Sequence, residues 1–492
     1  MKENIISDQG FNIKTHDDEQ GVSISLLRIL GIVPYFLFLF FIYWVLIVRK
    51  NPIIKKFGEK KFSGENYFWI WGNITTKVEK RPMSSLGFNE TYEYILNSLI
   101  FILNDYKGEH NITVLEQNEA PLWSEFASIN QNMRDCRKIL FYYGEKNSTI
   151  NPLMISAHID SKNTGQGAYD DAAGIAAMLE LASLLTRKMT PPSTPVLLGF
   201  IGTEELGLHG SKALVKSNVK ASGYFNIESI GTGLPLVLLQ RGNGSSEIVK
   251  SWGTKWGMPM ALMINDLLKL GIITSLSDSV IYKGHGIPGA EAIFMGNPTM
   301  YHTKLDSIGP PEHIQYLGNA LESLIYSFNG KAKSYDSVAI GISPLVIHLS
   351  TTMSRIVSLF VTISSLIIVI IILFNNPERI NPTMKTMVLL LSSFIVGIII
   401  ILMYFISLFY VNSLSYAPNI FIGFSIIAFL MISIMIIVLN SLNSPYLSID
   451  NLKLATCAII SILLLLLNNT DFAIVIIWIS LSSTICIFLN DY

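Results

Sequence analysis

Charged residues are scarce in this chain. Asp, Glu, Lys and Arg make up 14% of its 492 residues, against about 25% in a typical soluble domain. The shortage is local, because residues 1–335 have an ordinary mixed composition and most of the apolar excess lies beyond residue 356. The formal net charge is −1, whereas nucleic-acid-binding proteins normally carry a clustered excess of basic residues. The composition therefore gives no electrostatic case for a nucleic-acid partner.

Cysteine is scarcer still, with three residues in the whole chain, of which Cys457 and Cys486 lie inside hydrophobic blocks. Cys136 is the one thiol in the mixed part of the sequence, which excludes a disulfide within that part. Cysteine usage therefore does not indicate a redox compartment.

Long hydrophobic runs are what the chain does contain. Residues 29–48 carry no charge and are bounded by Arg28 and Arg49; about 20 apolar residues suffice to cross a bilayer core of ~30 Å. A cleaved signal peptide has a shorter apolar core and a small-residue cleavage site, neither of which is seen, so we expect an uncleaved anchor. Five more spans are predicted at 356–374, 387–409, 420–439, 454–467 and 472–489.

Two charge patterns disagree about which side of the membrane holds the mixed part. More Lys and Arg follow the first span than precede it, which favours the cytoplasm. The later loops favour the lumen, since Arg379 and Lys385 lie in one loop, residues 410–419 contain neither Lys nor Arg, and Lys453 lies in the next. We therefore expect the mixed part to lie in the lumen and to be glycosylated. This side of the membrane also suits the glycosylation sequons at Asn73, Asn89, Asn111, Asn147 and Asn243.

The mixed part has the pattern of an α/β domain. Helical spacing of apolar residues predicts helices over 90–106 and 170–188, and short apolar runs predict strands at 112–115, 139–143, 153–157, 196–201 and 224–227. Alternating strands and helices indicate a mixed, largely parallel sheet flanked by helices, with ligands gathered at the carboxyl ends of the strands.

Metal-binding residue types follow several of these strands. Each one alone has an ordinary explanation, such as acids in the first turn of a helix or satisfied buried polar groups. Together they recur at strand ends, where unpaired carboxylates without a cation would be costly. Two histidines and three carboxylates, one of them bridging, suit two zinc ions. The candidates are His158, Asp160, Asp170, Asp171, Glu204, Glu205, Glu228, His302 and Asp306.

Five motifs lie across residues 111–325: AHIDS at 157–161, GAYDDAAG at 167–174, TEELGL at 203–208, NIE at 226–228 and YHT at 301–303. Together they resemble the co-catalytic zinc aminopeptidase family, which also includes glutaminyl cyclases and glutamate carboxypeptidase-like proteins. The membrane arrangement resembles its endoplasmic reticulum metallopeptidase and vacuolar membrane protease subgroup, whose members usually have a longer C-terminal half. The expected units are a tail (1–28), an anchor (29–48), a zinc metallopeptidase domain (64–335) and a multi-span domain (356–489).

The resemblance implies a role for each residue. Asp170 would bridge two zinc ions, with a cis peptide bond to Asp171. Glu204 would be the general base that activates a zinc-bridging water. Asp160 would orient the second ring nitrogen of His158, and Asp306 would stiffen the loop around His302. His158 and Glu228 would complete one zinc site, and Glu205 and His302 the other.

An aminopeptidase acting on peptides delivered to the lumen of the endoplasmic reticulum or vacuole is the leading functional hypothesis. A carboxypeptidase or dipeptidase would use the same metal core. Glutaminyl cyclase is disfavoured, because the Asp170-Asp171 pair and the full ligand set suit two metals. A catalytically inactive receptor or scaffold is a different class, although no ligand is lost here. The C-terminal spans nearly lack charge, which favours packing in the lipid bilayer over transport.

Overall fold

A computed structural model describes residues 52–119, 136–188, 190–253, 277–331 and 337–350, with short gaps at 79, 146–147, 235, 240–245, 295 and 343–344, and isolated positions between 353 and 380. The predicted anchor and the spans beyond 380 lie outside these residues, and the span at 356–374 is described only at isolated positions. Within the described part, no helix combines the length and apolar character that crossing a membrane requires.

A seven-stranded mixed sheet forms the centre of the domain, in the order β1-β2-β4-β3-β5-β7-β6. Its four central strands (β4, β3, β5 and β7) are parallel, as the sequence predicted. The outer strands pair antiparallel, so the sheet is less parallel than expected. The strands are β1 (Asn111–Glu119), β2 (Cys136–Gly144), β3 (Leu153–His158), β4 (Val196–Ile201), β5 (Gly223–Ser229), β6 (Leu236–Leu239) and β7 (Gly289–Phe294).

One connection shows why an outer strand departs from the parallel expectation. The segment between Gly144 and Leu153 is shorter than the dozen or so residues that a crossover to a parallel neighbour needs. Strand β2 therefore runs antiparallel, alongside β4.

Helices cover both faces of the sheet. One face packs against α1 (Gly64–Lys77), α2 (Leu86–Asp105), α3 (Ala173–Arg187), α5 (Ser246–Gly253) and α7 (Pro311–Ser327), and the other against α4 (His209–Lys216) and α6 (Asp278–Gly284). A separate hairpin pairs β8 (Ser337–Ile342) with β9 (Leu345–Ser350). This three-layer arrangement buries β3, β4 and β5 on both sides, which explains their uninterrupted apolar sequences.

Serine caps start the two N-terminal helices of the first face. The hydroxyl of Ser63 accepts a hydrogen bond from the Asn66 amide at 3.1 Å, and that of Ser85 accepts one from Phe88 at 3.0 Å. Helix α2 begins slightly before the predicted position and ends one residue before it.

Candidate metal centre

An inner group of ligands lies at the ends of two neighbouring parallel strands. His158 is the last residue of β3, and Glu228 lies near the end of β5 beside it. The Nε2 atom of His158 is 3.1 Å from Asp170 Oδ1 and 3.4 Å from Glu228 Oε1. All three side chains are buried, and their ligand atoms are close enough together to hold one metal ion.

An outer group lies beside the inner one and shares Asp170 with it. Glu205 follows β4, and His302 follows the 3-10 turn Pro298–Met300 after β7. The Nε2 atom of His302 is 3.1 Å from Asp170 Oδ2 and 3.4 Å from Glu205 Oε2. The two oxygens of Asp170 therefore face different histidines, which is the arrangement that a bridging ligand needs.

The two adjacent aspartates make different contacts. Their peptide bond is cis, as expected. They lie in a π-helical turn, Ala168–Ala172, and have non-helical backbone angles, so the prediction that helix α3 begins at residue 170 is wrong by three residues. Asp171 accepts hydrogen bonds from the His158 amide at 3.2 Å and the Gly174 amide at 3.0 Å. Asp171 thus ties the end of β3 to the start of α3.

Asp160 differs in detail from its expected role. The ring nitrogen Nδ1 of His158 bonds at 2.9 Å to the backbone carbonyl of Asp160, while the nearest Asp160 carboxylate oxygen is 3.8 Å away. Both carboxylate oxygens instead accept backbone amides, from Glu204 and from Glu205, each at 3.0 Å. Asp160 therefore connects the His158 ligand to the turn that carries both glutamates.

Asp306 joins the His302 loop to the bridging aspartate. Its carboxylate accepts the Tyr169 amide at 2.9 Å and the Asp170 amide at 3.3 Å. Burial raises the pKa of Asp306 to about 7, although these two hydrogen bonds oppose the rise. Asp306 therefore ties the loop that carries His302 to the backbone of Tyr169 and Asp170.

Arg81 is a buried cation beneath the site that sequence reasoning missed. Its guanidinium donates to the carbonyls of Ile159 at 2.9 Å, Gln166 at 2.7 Å and Gly167 at 2.8 Å. Arg81 is fully buried, and burial lowers its pKa although nearby aspartates oppose this. No motif surrounds Arg81 in the sequence, so no local signal could have identified it.

Lys162 is the second residue that sequence reasoning missed. Its ammonium nitrogen is 2.7 Å from Glu205 Oε2 and donates to the Glu205 carbonyl, also at 2.7 Å. Its position just after the AHIDS motif was the available signal.

Crowding of buried carboxyl groups dominates the electrostatics of the protein atoms. Burial, followed by the charge of Glu228, raises the pKa of Glu204 to about 11, and burial raises that of Glu228 to about 8. Asp170 behaves differently: burial opposes its ionisation, but hydrogen bonds with His158 and His302 hold its pKa below the usual range. A bound divalent cation would oppose these increases in pKa, because its positive charge favours the ionised form of nearby carboxyl groups.

The ligand atoms fit zinc. Among the described residues, the buried oxygens Glu205 Oε1 and Glu228 Oε2 have no hydrogen-bond partner, although buried carboxylates are normally satisfied. Imidazole nitrogens and carboxylate oxygens in two groups of three match the donors that zinc prefers in catalytic sites.

Imidazole and carboxylate groups at the ends of parallel strands in a three-layer α/β domain form a candidate metal site. More particularly, residues 140–321 match peptidase family M28. The match identifies residues 140–321 as a peptidase M28 domain.

Two groups of relatives match the chain in sequence. The vacuolar membrane protease of Schizosaccharomyces japonicus is 25% identical over 279 residues, covering 55% of this chain and 32% of the relative. Endoplasmic reticulum metallopeptidase 1 of Mus musculus is 27% identical over 227 residues, covering 44% of this chain and 25% of the relative. The chain thus matches no more than about a third of the length of either.

Solved structures with a similar arrangement include a zinc aminopeptidase from Bacillus subtilis, with 16% identity, a TM-score of 0.41 and coverage of 56% of this chain and 96% of that one. A glutaminyl cyclase from Porphyromonas gingivalis has 16% identity, a TM-score of 0.40 and coverage of 54% and 98%.

Proposed function

We propose that this chain is a membrane-anchored exopeptidase with two zinc ions, acting as an aminopeptidase. The observation that carries the proposal is the sharing of Asp170 between the groups of His158 and His302. Zinc bound there would supply Lewis acidity to the scissile carbonyl and lower the pKa of a bound water. His158 and Glu228 would hold the inner zinc, and His302 and Glu205 would hold the outer zinc.

Glu204 is the proposed general base. Its side chain is buried, and its backbone is fixed by the hydrogen bond to Asp160. Its charge acts on both His158 and Glu228, which supports a position beside the inner ligands. In the reaction, Glu204 takes a proton from the attacking water and returns it to the leaving amine.

The test of this role is Glu204→Gln, with Glu93→Gln on the exposed face of α2 as the control. General-base catalysis contributes about 10²–10⁴-fold, so we expect kcat of the Glu204 variant to fall by that factor with zinc content unchanged. The control should keep both. Near-normal hydrolysis by the Glu204 variant would exclude the assigned role.

Substrate polarity is the second part of the proposal. With two zinc ions bound, their positive charge would offset the four carboxylates at the site (Asp170, Glu204, Glu205 and Glu228), so the metal core does not select one end of a peptide. The aminopeptidase direction rests on the resemblance of the five motifs to the co-catalytic zinc aminopeptidase family. Hydrolysis of one peptide sequence with a free, an amino-blocked or a carboxy-blocked end tests this. Cleavage of the amino-blocked peptide alone would identify a carboxypeptidase, and a chain that binds zinc but cleaves none of the three peptides would fit the receptor or scaffold reading.

The membrane location is also proposed, on the uncharged run at 29–48 and the similarity to relatives named as vacuolar membrane and endoplasmic reticulum proteins. A lumenal domain could carry glycans at exposed sequons. Asn89 is exposed, whereas the amide nitrogen of Asn73 is buried within α1 and leaves no room for a glycan. Loss of an endoglycosidase-sensitive mass shift in Asn89→Gln would support the lumenal side; protease protection from the cytoplasmic side is the independent check.

A further inference from the structure

The segment from Lys162 to Gly165 contacts Glu205 and the loop of His302. These two ligands belong only to the outer group, whereas Asp170 is shared with the inner one. Lys162 bonds Glu205 through its ammonium, and the Thr164 hydroxyl donates to the His302 carbonyl at 2.6 Å. Gly165 lies so close to the same loop that a Cβ there would collide with the Thr303 carbonyl oxygen.

The inner and outer groups differ in their exposure. The side chains of His158 and Glu228 are 1% and 7% exposed, whereas those of His302 and Lys162 are 30% and 38% exposed. The inner ligands are therefore closed off from solvent. In the outer group, His302 and the lysine beside it are partly open to solvent, whereas the Glu205 side chain is only 6% exposed.

An ammonium group at a ligand oxygen opposes metal binding in two ways. Its hydrogen bond occupies Glu205 Oε2, which leaves Oε1 as the oxygen without a partner. Its charge also repels a divalent cation: at a separation of about 5 Å and a water-like dielectric constant, one positive charge weakens binding on the order of tenfold.

We propose that Lys162 lowers the zinc affinity of the outer group, so that the inner group fills first and the outer zinc is the exchangeable one. This inference rests on the proposed two-zinc function. Lys162 acts through Glu205 and is a positioning residue, because the contacts described connect it to the ligand alone.

Calorimetric titration of the metal-depleted full chain in detergent with zinc tests the proposal without relying on activity. Wild type should bind two zinc ions with different affinities. Lys162→Met should tighten the weaker step on the order of tenfold and leave the tighter step unchanged. Lys162→Arg retains the charge and should keep the second step weak.

Lys304→Met is the matched control, since Lys304 is an exposed lysine in the same loop as His302, and its two steps should equal those of wild type. Two-zinc binding with the second step unchanged in Lys162→Met would overturn the role of Lys162. If Lys162→Met unfolds, Lys162→Gln takes its place, with the same expected tightening. Binding of one zinc or none by wild type would overturn the two-zinc proposal instead.

Discussion

Replacing Asp160 with Asn changes the charge but not the shape of the group that holds the turn of Glu204 and Glu205. The native carboxylate is fully buried and accepts both amides at 3.0 Å. Asn would keep one acceptor oxygen and place an NH₂ group against the other amide. The bond from His158 to the backbone carbonyl of residue 160 would be retained, because the substitution leaves the main chain intact.

The expected magnitude follows from these contacts. A hydrogen bond to a charged group contributes about 1.5–3 kcal/mol, and an unsatisfied buried donor costs about 1–3 kcal/mol. We therefore expect the free energy of unfolding to fall by about 2–4 kcal/mol. Because a displacement of ~1 Å can cost on the order of 10²-fold in rate, kcat should fall by about that factor as Glu204 moves.

The assay combines zinc content, denaturant unfolding and peptide hydrolysis on the same preparation of Asp160→Asn, with Asp105→Asn at the exposed end of α2 as the control. Zinc at the inner group should be retained while kcat falls. Loss of the inner zinc would show that the carboxylate orients His158 after all. Unchanged kcat with unchanged zinc would refute the positioning of Glu204 by Asp160.

Three further predictions concern the surroundings of the site. Arg81→Met should lower the free energy of unfolding by about 3–5 kcal/mol, because it removes a buried charged donor from three carbonyls, whereas Arg81→Lys should restore part of the loss in denaturant unfolding. Burial opposes protonation of His302, but hydrogen bonds to Asp170 and Glu205 outweigh it and raise its pKa from 6.5 to about 9. The metal-free protein should therefore have the full contribution of this group below pH 6.5 and lose it as pH rises through about 9, and saturating zinc should remove the effect; a flat stability profile without metal would contradict this. Gly165→Ala should displace the His302 loop and weaken the second zinc step in calorimetry, while Gly284→Ala, where a Cβ meets nothing within 4 Å, should leave both steps unchanged.

Part of the fold was predictable because burial leaves a mark on the sequence. Strand β4 was predicted at its observed bounds, since a strand covered on both faces is apolar throughout. The start of α3 was misplaced because acids before a helix resemble an ordinary first turn, whereas Asp170 and Asp171 lie in a turn whose backbone is not helical.

The amino-acid sequence by itself determined the chemistry of the candidate site, since residue type decides which atoms can bind zinc and apolar runs decide which residues end a strand. The tertiary structure decided which strands and which side chains lie next to each other. It placed β3 between β4 and β5, divided the ligands into two groups around Asp170, and brought Arg81 and Lys162 to backbone and side-chain atoms remote in sequence. Such contacts join residues 43 to 86 positions apart, and they leave no trace in sequence periodicity because each depends on one approach of two loops in space.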